Sequence, residues 1–343
     1  MIGIGISPVL GGRAGVLGQA FTLLGTAPLH YWDFTANRAL FNGADVGAVT
    51  ATPNWSFIRA TVGTAEDLAG NIVQFASGAP RITDKGLLIE EARTNLYLNS
   101  AVGVTQSITV AAVAYTLSFR GTGTITLTGT STAGPLVGTG ASNRVALTFT
   151  PTAGSLTLTV TGSVTNVNLE AGSDALSWIP TAGASVTRDA DVASVTSLSI
   201  AYPLSMYVQF NRTIGTYASN TAAINLDNTT ANERMTLLVN LTTSLVQPVV
   251  VAGGITQLSV NTSPALTANT TTKVAIRAST ASANYARDGV AGTATGAITA
   301  PGTATRLLFG ANPSSAAQLN GYVLRAAIFN SALNDAALQR ATT

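Results

Sequence analysis

The sequence predicts an all-β chain, in which an extended N-terminal arm precedes a small antiparallel β-sandwich and a larger C-terminal β-module. Three observations predict it. Between residues 114 and 160 apolar side chains alternate with threonines, as in Thr124-Ile125-Thr126-Leu127-Thr128 and Ser155-Leu156-Thr157-Leu158-Thr159-Val160. That period of two belongs to strands with one buried and one wet face. Glycines, among them Gly121, Gly129, Gly138 and Gly154, fall in or near the intervening turns. The runs are short and carry no helical period, and Asp288-Gly289 is a two-residue hairpin signal.

Residues 1–25 contain glycines at 3, 5, 11, 12, 15, 18 and 25, interleaved with Ile2, Ile4, Ile6, Val9 and Leu10. Glycine raises the entropy lost on ordering, and the isoleucines are too apolar for a solvated tail. This pattern describes a docking arm that orders against a partner, with Ile2, Ile4 and Ile6 adding to a neighbour's sheet edge or apolar groove. A secretory signal would place basic residues before its apolar centre, whereas the first basic residue here is Arg13.

Residues 26–99 form an aromatic-rich region, expected to serve attachment, that carries Trp32, Phe34, Phe41, Trp55, Phe57 and Phe75. It also holds the acids Asp33, Asp45, Glu66, Asp67, Asp84, Glu90 and Glu91. Paired carboxylates serve glycosidases, but the adjacent Glu90 and Glu91 would point to opposite faces of a strand. Ion pairing with Arg59, Arg81 or Arg93 is the expected use of these acids.

Residues 100–188 are the small sandwich, built from runs at 114–119, 124–128, 145–149 and 155–160. Residues 189–343 offer candidate strands at 204–210, 222–226, 235–241, 245–251, 257–260, 273–278, 284–287 and 306–310. The chain ends on Gly321-Tyr322-Val323-Leu324-Arg325-Ala326-Ala327-Ile328-Phe329, followed by Asn334-Asp335-Ala336-Ala337-Leu338. This ending resembles the final strand and closing helix of concanavalin-like, laminin-G-like jelly rolls, which implies that fold for 189–343 as a self-contained unit. Strict alternation would place Tyr322, Leu324, Ala326 and Ile328 on one face, and Asn334 or Asp335 can cap a last turn that packs Leu338.

Lys85-Gly86-Leu87-Leu88-Ile89-Glu90-Glu91-Ala92-Arg93-Thr94-Asn95-Leu96 resembles a recurrent segment of phage tail and virion-surface proteins. The resemblance continues, in order, through Asn168-Leu169-Glu170-Ala171-Gly172, Ser177-Trp178-Ile179-Pro180-Thr181 and Thr187-Arg188-Asp189-Ala190-Asp191. It implies a structural component of a phage or phage-like particle, a tail fibre, spike or head decoration at the virion surface, with adhesion to a host-surface glycan. Its partners would then be other virion structural proteins and further copies of the chain. The alternatives are a tail-associated polysaccharide depolymerase and a bacterial surface adhesin.

Composition narrows the chemistry. Cysteine is absent and His30 is the only histidine, so a thiolate nucleophile or cysteine-ligated zinc is impossible and a serine triad or histidine metal site lacks partners. His30 is expected to be structural. Fifteen of the seventeen basic residues are arginines scattered from Arg13 to Arg340 without a clustered stripe, which disfavours nucleic acid as a partner. No apolar run is long enough to span a bilayer as one helix, so membrane insertion is not expected. The family resemblance to concanavalin-like sandwiches implies glycan binding with calcium as the one cofactor to consider. The loop candidates are Asp227, Asn228, Asp288 and Asn312 for the metal, and Tyr217, Tyr285 and Asn320 for the glycan. Calcium requires about six to eight oxygens, and no local spacing gathers these positions.

Mean hydropathy is +0.34 with only 9% charged residues, so apolar surface beyond that of small cores is expected to be buried between subunits. Phage fibres and spikes are usually trimeric, and a homotrimer is expected here. Light scattering at micromolar concentration should return three times the 34.7 kDa chain mass; a soluble monomer would exclude it.

Overall fold

The computed structural model describes residues 27–213, 220–240 and 242–343. The arm, with Ile2, Ile4 and Ile6, lies outside the described residues. The rest is all-β and antiparallel, with one closing helix, Asp335–Thr342. It comprises two β-sandwiches, the smaller inserted into the larger.

The large sandwich draws on both ends of the described chain. Its first sheet runs, in order, Val290–Ala291, Ala283–Arg287, Thr272–Ala278, Leu204–Arg212, Gly321–Phe329, His30–Asp33, Arg38–Phe41 and Ala44–Gly47. Facing it are Ile255–Ser259, Val246–Ala252, Arg234–Val239, Thr221–Asp227, Arg306–Phe309, Val192–Val195 and Trp55–Ile58. Each candidate strand expected between 204 and 310 is present within a residue or two of its expected bounds, and the hairpin turns at Asp288-Gly289 with both residues at positive φ.

The expected separation of 26–99 from 189–343 does not hold. His30–Asp33 pairs with Gly321–Phe329 from the far end of the sequence, and Trp55–Ile58 pairs with Val192–Val195. The aromatics that marked 26–99 as a region of its own fill the core of the large sandwich. Trp32 and Phe34 from one sheet meet Phe309 and Trp55 from the other, with ring centroids 5.1 Å (Trp32 to Phe309), 5.2 Å (Phe34 to Phe309) and 5.6 Å (Trp55 to Phe309) apart. The first two pairs are edge-on, at 72° and 79°, and such packing adds about 0.5–1.5 kcal/mol per pair beyond area burial. Residues 189–343 are therefore not a self-contained unit.

The final strand also departs from strict alternation. Arg325 pairs with Gln209 and Val323 with Phe210, leaving Leu324 as an extra residue. Such a bulge shifts the facing by one, so Val323, Ala326 and Ile328 enter the core while Tyr322 and Leu324 stay outside it. At this point the strand's edge passes from one partner to another: Gly86–Ile89 covers Gly321 to Val323, and His30–Asp33 covers Arg325 to Ile328. Gly86 makes the approach possible. At φ +118 it presses so close that a Cβ would lie 2.6 Å from the Val323 carbonyl oxygen. On the outer face of the sheet the closing helix, capped by Asn334 accepting from the Ala337 N–H at 2.9 Å, lays Leu338 and Ala341 over Tyr207, Ala275 and Ala327.

The small sandwich spans Gln106–Val110 to Val164–Ala171, four strands in one sheet and three in the other. Leu117, Phe119, Ile125, Leu127, Leu156, Leu158 and Leu169 form its core. Thr126 and Thr128 face solvent, as alternation requires. Tyr115–Gly121, however, is buried on both faces, because its polar face, Thr116, Ser118 and Arg120, is covered by residues 173–180 and by the hairpin Gly63–Glu66/Ile72–Phe75. The chain enters the insert through Arg93–Asn95 and leaves through Val186–Arg188, and these two strands pair.

A fragment comprising residues 189–343 would lack His30–Asp33, Trp55–Ile58 and Gly86–Ile89 and expose the faces they cover. Its thermal melt by circular dichroism should be non-cooperative, whereas a chain of residues 27–343 should melt cooperatively. A cooperative melt of the fragment would contradict the interdigitated core.

Candidate functional site at the joint between the sandwiches

Of the four segments that carry the virion-protein resemblance, one lies at 85–96 and three lie close together between 168 and 191, and the first meets the other three at the joint. At its centre the Asp191 carboxylate lies between two guanidinium groups, Arg59 at 3.1 Å and Arg81, all three side chains fully buried. The Asp191 carboxylate also accepts the Glu90 N–H at 2.9 Å, and the Asp191 N–H donates to the Glu90 carbonyl at 3.0 Å. Glu90 receives Arg81 at 2.6 Å, Arg188 at 2.9 Å, and both the N–H (2.7 Å) and hydroxyl (2.6 Å) of Ser177. Backbone carbonyls take further donors: Arg59 reaches Thr61 and Ala76 at 2.7 Å, and Arg81 reaches Thr64 at 2.9 Å. Burial of Glu90 opposes its ionisation, but Arg188 and Arg81 override that and hold the carboxyl down at about 2.

Asn95 fixes the insert from the other side. Its amide donates to the Val167 and Ile179 carbonyls, both at 2.8 Å, and its oxygen accepts from Tyr97 (3.0 Å) and Leu169 (2.9 Å). All four hydrogen-bonding positions of the side chain are thus used. Asn168 does the same more locally, accepting from the Ile179 N–H and donating to the Ser177 carbonyl.

Two open clefts flank the joint. One, of about 480 Å³, is lined by Glu91, Arg93, Thr94, Leu96, Tyr115 and Thr187. Arg93 there is engaged by Glu91 at 2.5 Å and Asp174 at 3.0 Å. The other is a groove of about 440 Å³ between the hairpin and the small sandwich, with Asn71, Gln74, Ser142 and Asn166 on its walls and Ile72 and Trp178 as apolar surface. Beside it lies a separate cavity of about 10 Å³, room for about one water, lined by Glu66, Arg120 and Arg144 among others. The walls of the groove are mainly amide and hydroxyl groups with two apolar surfaces, the reverse of the mostly apolar lining usual for small-molecule pockets.

The residues singled out from sequence lie elsewhere. Asp227 is buried and bound by Arg306 at 2.7 and 2.9 Å, with Asn225 donating at 2.6 Å. Asn228 closes a local turn onto Thr230, and Asn312 does so onto Ala316 and Ala317. Asp288 accepts the Lys273 N–H at 2.8 Å. Arginine pairing and turn formation occupy these oxygens, and among the described residues no three acids or histidines converge as metal ligands. Tyr285 packs against Gly292, where a Cβ would stand 2.3 Å from its ring. Asn320 is buried and accepts the Glu91 N–H at 2.8 Å. Tyr217 lies outside the described residues. His30 is buried between Trp32 and Phe41, accepts the Asn42 N–H at Nδ1, and is kept neutral by burial, which lowers it to about 4. The expected ion pairs of Glu90 and Glu91 with Arg81 and Arg93 are present. The groove residues Asn71, Gln74, Arg120 and Asn166 carried no sequence signal, because they come together only through the docking of the hairpin on the insert.

No family model and no curated protein matches the chain. Solved structures similar to it include the CBM40 module of a Ruminococcus gnavus IT-sialidase, at 11% identity and TM-score 0.35, covering 42% of this chain and 84% of that one. Domain 4 of AbnA, a GH43 extracellular arabinanase from Geobacillus stearothermophilus in complex with arabinotriose, is similar at 11% identity and TM-score 0.36, over 45% of this chain and 73% of that one. The NanB sialidase from Streptococcus pneumoniae is similar at 12% identity and TM-score 0.33, over 41% of this chain and 26% of that one. Likeness at this level concerns the β-sandwich and assigns no ligand.

Glu170 makes the joint pH-dependent. Its Oε1 accepts the Leu176 N–H at 2.9 Å, its Oε2 is buried without a partner, and Arg144 is 4.0 Å away. Burial pushes the carboxyl up to about 7 against the opposing pull of Arg144, Arg188 and Arg93. Between about pH 4.5 and 7 the folded state thus retains a proton that the unfolded chain releases, so this group's contribution to stability falls as pH rises. Glu90 acts oppositely, its contribution being present above about 4.5 and lost as pH falls towards 2. Glu170→Gln should match the parent at pH 5 and exceed it at pH 8 by about 2–3 kcal/mol in urea denaturation. Identical pH slopes for the two proteins would exclude a protonated Glu170.

Proposed function

We propose that the chain is a surface-facing structural protein of a phage or phage-like particle, in tail or head. It assembles as a homotrimer with other virion proteins and holds a host-surface glycan in the groove over Trp178. The observation that carries this reading is the convergence of the four virion-like segments on a single buried joint. That joint sets one sandwich on the other and shapes the groove between them.

Adhesion without turnover suits the groove's chemistry. Glu66, the acid in the small cavity beside the groove, is bound by Arg120 and by Lys85 at 3.2 Å. Burial would raise its carboxyl, but these cations outweigh burial and keep it below the ordinary value. A carboxylate held ionised by two cations is a poor proton donor to a leaving group, which a depolymerase requires. Trp178 is positioned by donation from Nε1 to Ser100 Oγ at 3.2 Å and by its carbonyl accepting from Thr64 Oγ1 at 2.5 Å, leaving ring surface for the apolar face of a sugar.

Host-surface polysaccharide incubated with the protein should bind saturably and release no reducing ends. Trp178→Ala and Gln74→Ala should each weaken binding, the former by about tenfold or more as for a buried aromatic contact. Reducing ends appearing in proportion to protein would favour the depolymerase, and unchanged binding by both variants would remove the groove from the adhesion surface.

A further inference from the structure

Building on the glycan reading of the groove, we propose that the groove is a subsite for an N-acetylated sugar, whose acetamido methyl packs on Ile72 while its amide pairs with Gln74. The groove offers two apolar surfaces, Trp178 and Ile72, where an unmodified sugar ring needs one. Such a ring turns one face of C–H groups to an aromatic side chain, and Trp178 is held for that contact by Ser100 and Thr64. Its remaining substituents are hydroxyls, which gain nothing from Ile72. An acetamido substituent supplies what is missing: a methyl group for the second apolar surface and, bonded to it, a planar amide with a donor and an acceptor.

The hairpin sets these two contacts side by side. Thr64 pairs with Gln74 and Glu66 with Ile72, so the four side chains share one face of the hairpin. That face is turned towards the insert, where Thr64 Oγ1 donates to the Trp178 carbonyl and Glu66 receives Arg120. Ile72 and Gln74 are two residues apart on it, about 6–7 Å along the strand, the scale of an acetamido group with the ring carbon that bears it. Ile72 is half-buried and Gln74 exposed. The Gln74 amide, like that of Asn166 on the wall contributed by the insert, hydrogen-bonds no other group among the described residues. Each therefore offers a donor and an acceptor to a ligand. Asn71 keeps its oxygen, its Nδ2 donating to Asp67 at 2.9 Å. Charge has no part in the arrangement: the one charged lining residue among those described, Arg120, is committed to the Gly70 carbonyl at 2.6 Å and to Glu66.

The experiment is titration calorimetry of the full chain with triacetylchitotriose and with cellotriose, trimers of the same linkage that differ only in carrying an acetamido group or a hydroxyl at the second ring carbon. The acetylated trimer should bind about tenfold more tightly, the weight of one buried methyl and one hydrogen bond together, and the preference should persist at high salt because no charge is involved. Ile72→Ala and Gln74→Ala should each reduce the preference to about threefold or less, Ile72→Val should keep most of it, and Trp178→Ala should weaken both trimers by the same factor. Gln74 is exposed, so its variant keeps the test available if Ile72→Ala fails to fold. Equal binding of the two trimers by the parent, or a preference that survives in folded Ile72→Ala and in Gln74→Ala, would overturn the acetamido subsite and leave glycan binding intact. Binding of neither trimer would overturn the subsite as well, and absence of host polysaccharide binding alongside it would remove both readings.

Discussion

The Asp191 carboxylate between Arg59 and Arg81 is the interaction on which the architecture depends. Three arginines and two acids are withdrawn from water at one point, and desolvation of each ion costs several kcal/mol. The cost is offset because the guanidinium groups find carboxylates and the carbonyls of Thr61, Ala76 and Thr64, while the acids receive backbone N–H groups. An arrangement of this kind is weak evidence for net stability. What it supplies is specificity of docking: a displaced hairpin or loop would leave a buried charge unpaired, so alternative orientations of the insert are strongly penalised. Arginine suits the role because its fork serves a carboxylate and a carbonyl at once, consistent with arginine supplying fifteen of the seventeen basic residues.

Much of the β-structure was legible in the sequence because strands announce themselves locally. The threonine alternation at 124–128 and 155–160, the hairpin at Asp288-Gly289 and the Asn334 cap each depend on a handful of adjacent residues. What was not legible depends on pairing across the chain. His30–Asp33 finds its partner in Gly321–Phe329, almost three hundred residues away, and nothing in four residues encodes that choice. The bulge at Leu324 was hidden for a similar reason. No residue type within the final strand marks the shift, which coincides with the point where two different strands share its edge, one of them admitted by Gly86.

The site was legible in a different way. The segments around Glu90, Asn168, Ser177 and Asp191 stood out as text, yet Glu90, Asn168 and Asp191 lie under the surface as joint, and Trp178 is the part of them that reaches the groove. The groove that the joint creates is lined by Asn71, Gln74 and Asn166, polar residues of turns and strand ends that resemble any other. The loop acids and amides proposed from analogy, Asp227, Asn228, Asp288 and Asn312, serve turns and ion pairs instead. A short polar side chain near a glycine satisfies its own backbone first, and sequence alone does not reveal which such residues have oxygen left to offer a ligand.

The separation between buried joint and exposed groove also explains how so few charges suffice. With only 9% of residues charged, the chain gathers Glu66, Glu90, Glu91, Glu170, Asp174 and Asp191 around one interface, and their arginine partners with them. For the glycan reading proposed above, a groove walled by elements held in this way would lose little conformational freedom when a ligand enters, so weak contacts to hydroxyls and one aromatic face would translate into affinity more fully than on mobile loops. Repetition of the groove in each copy of an oligomer would multiply that affinity without a new contact.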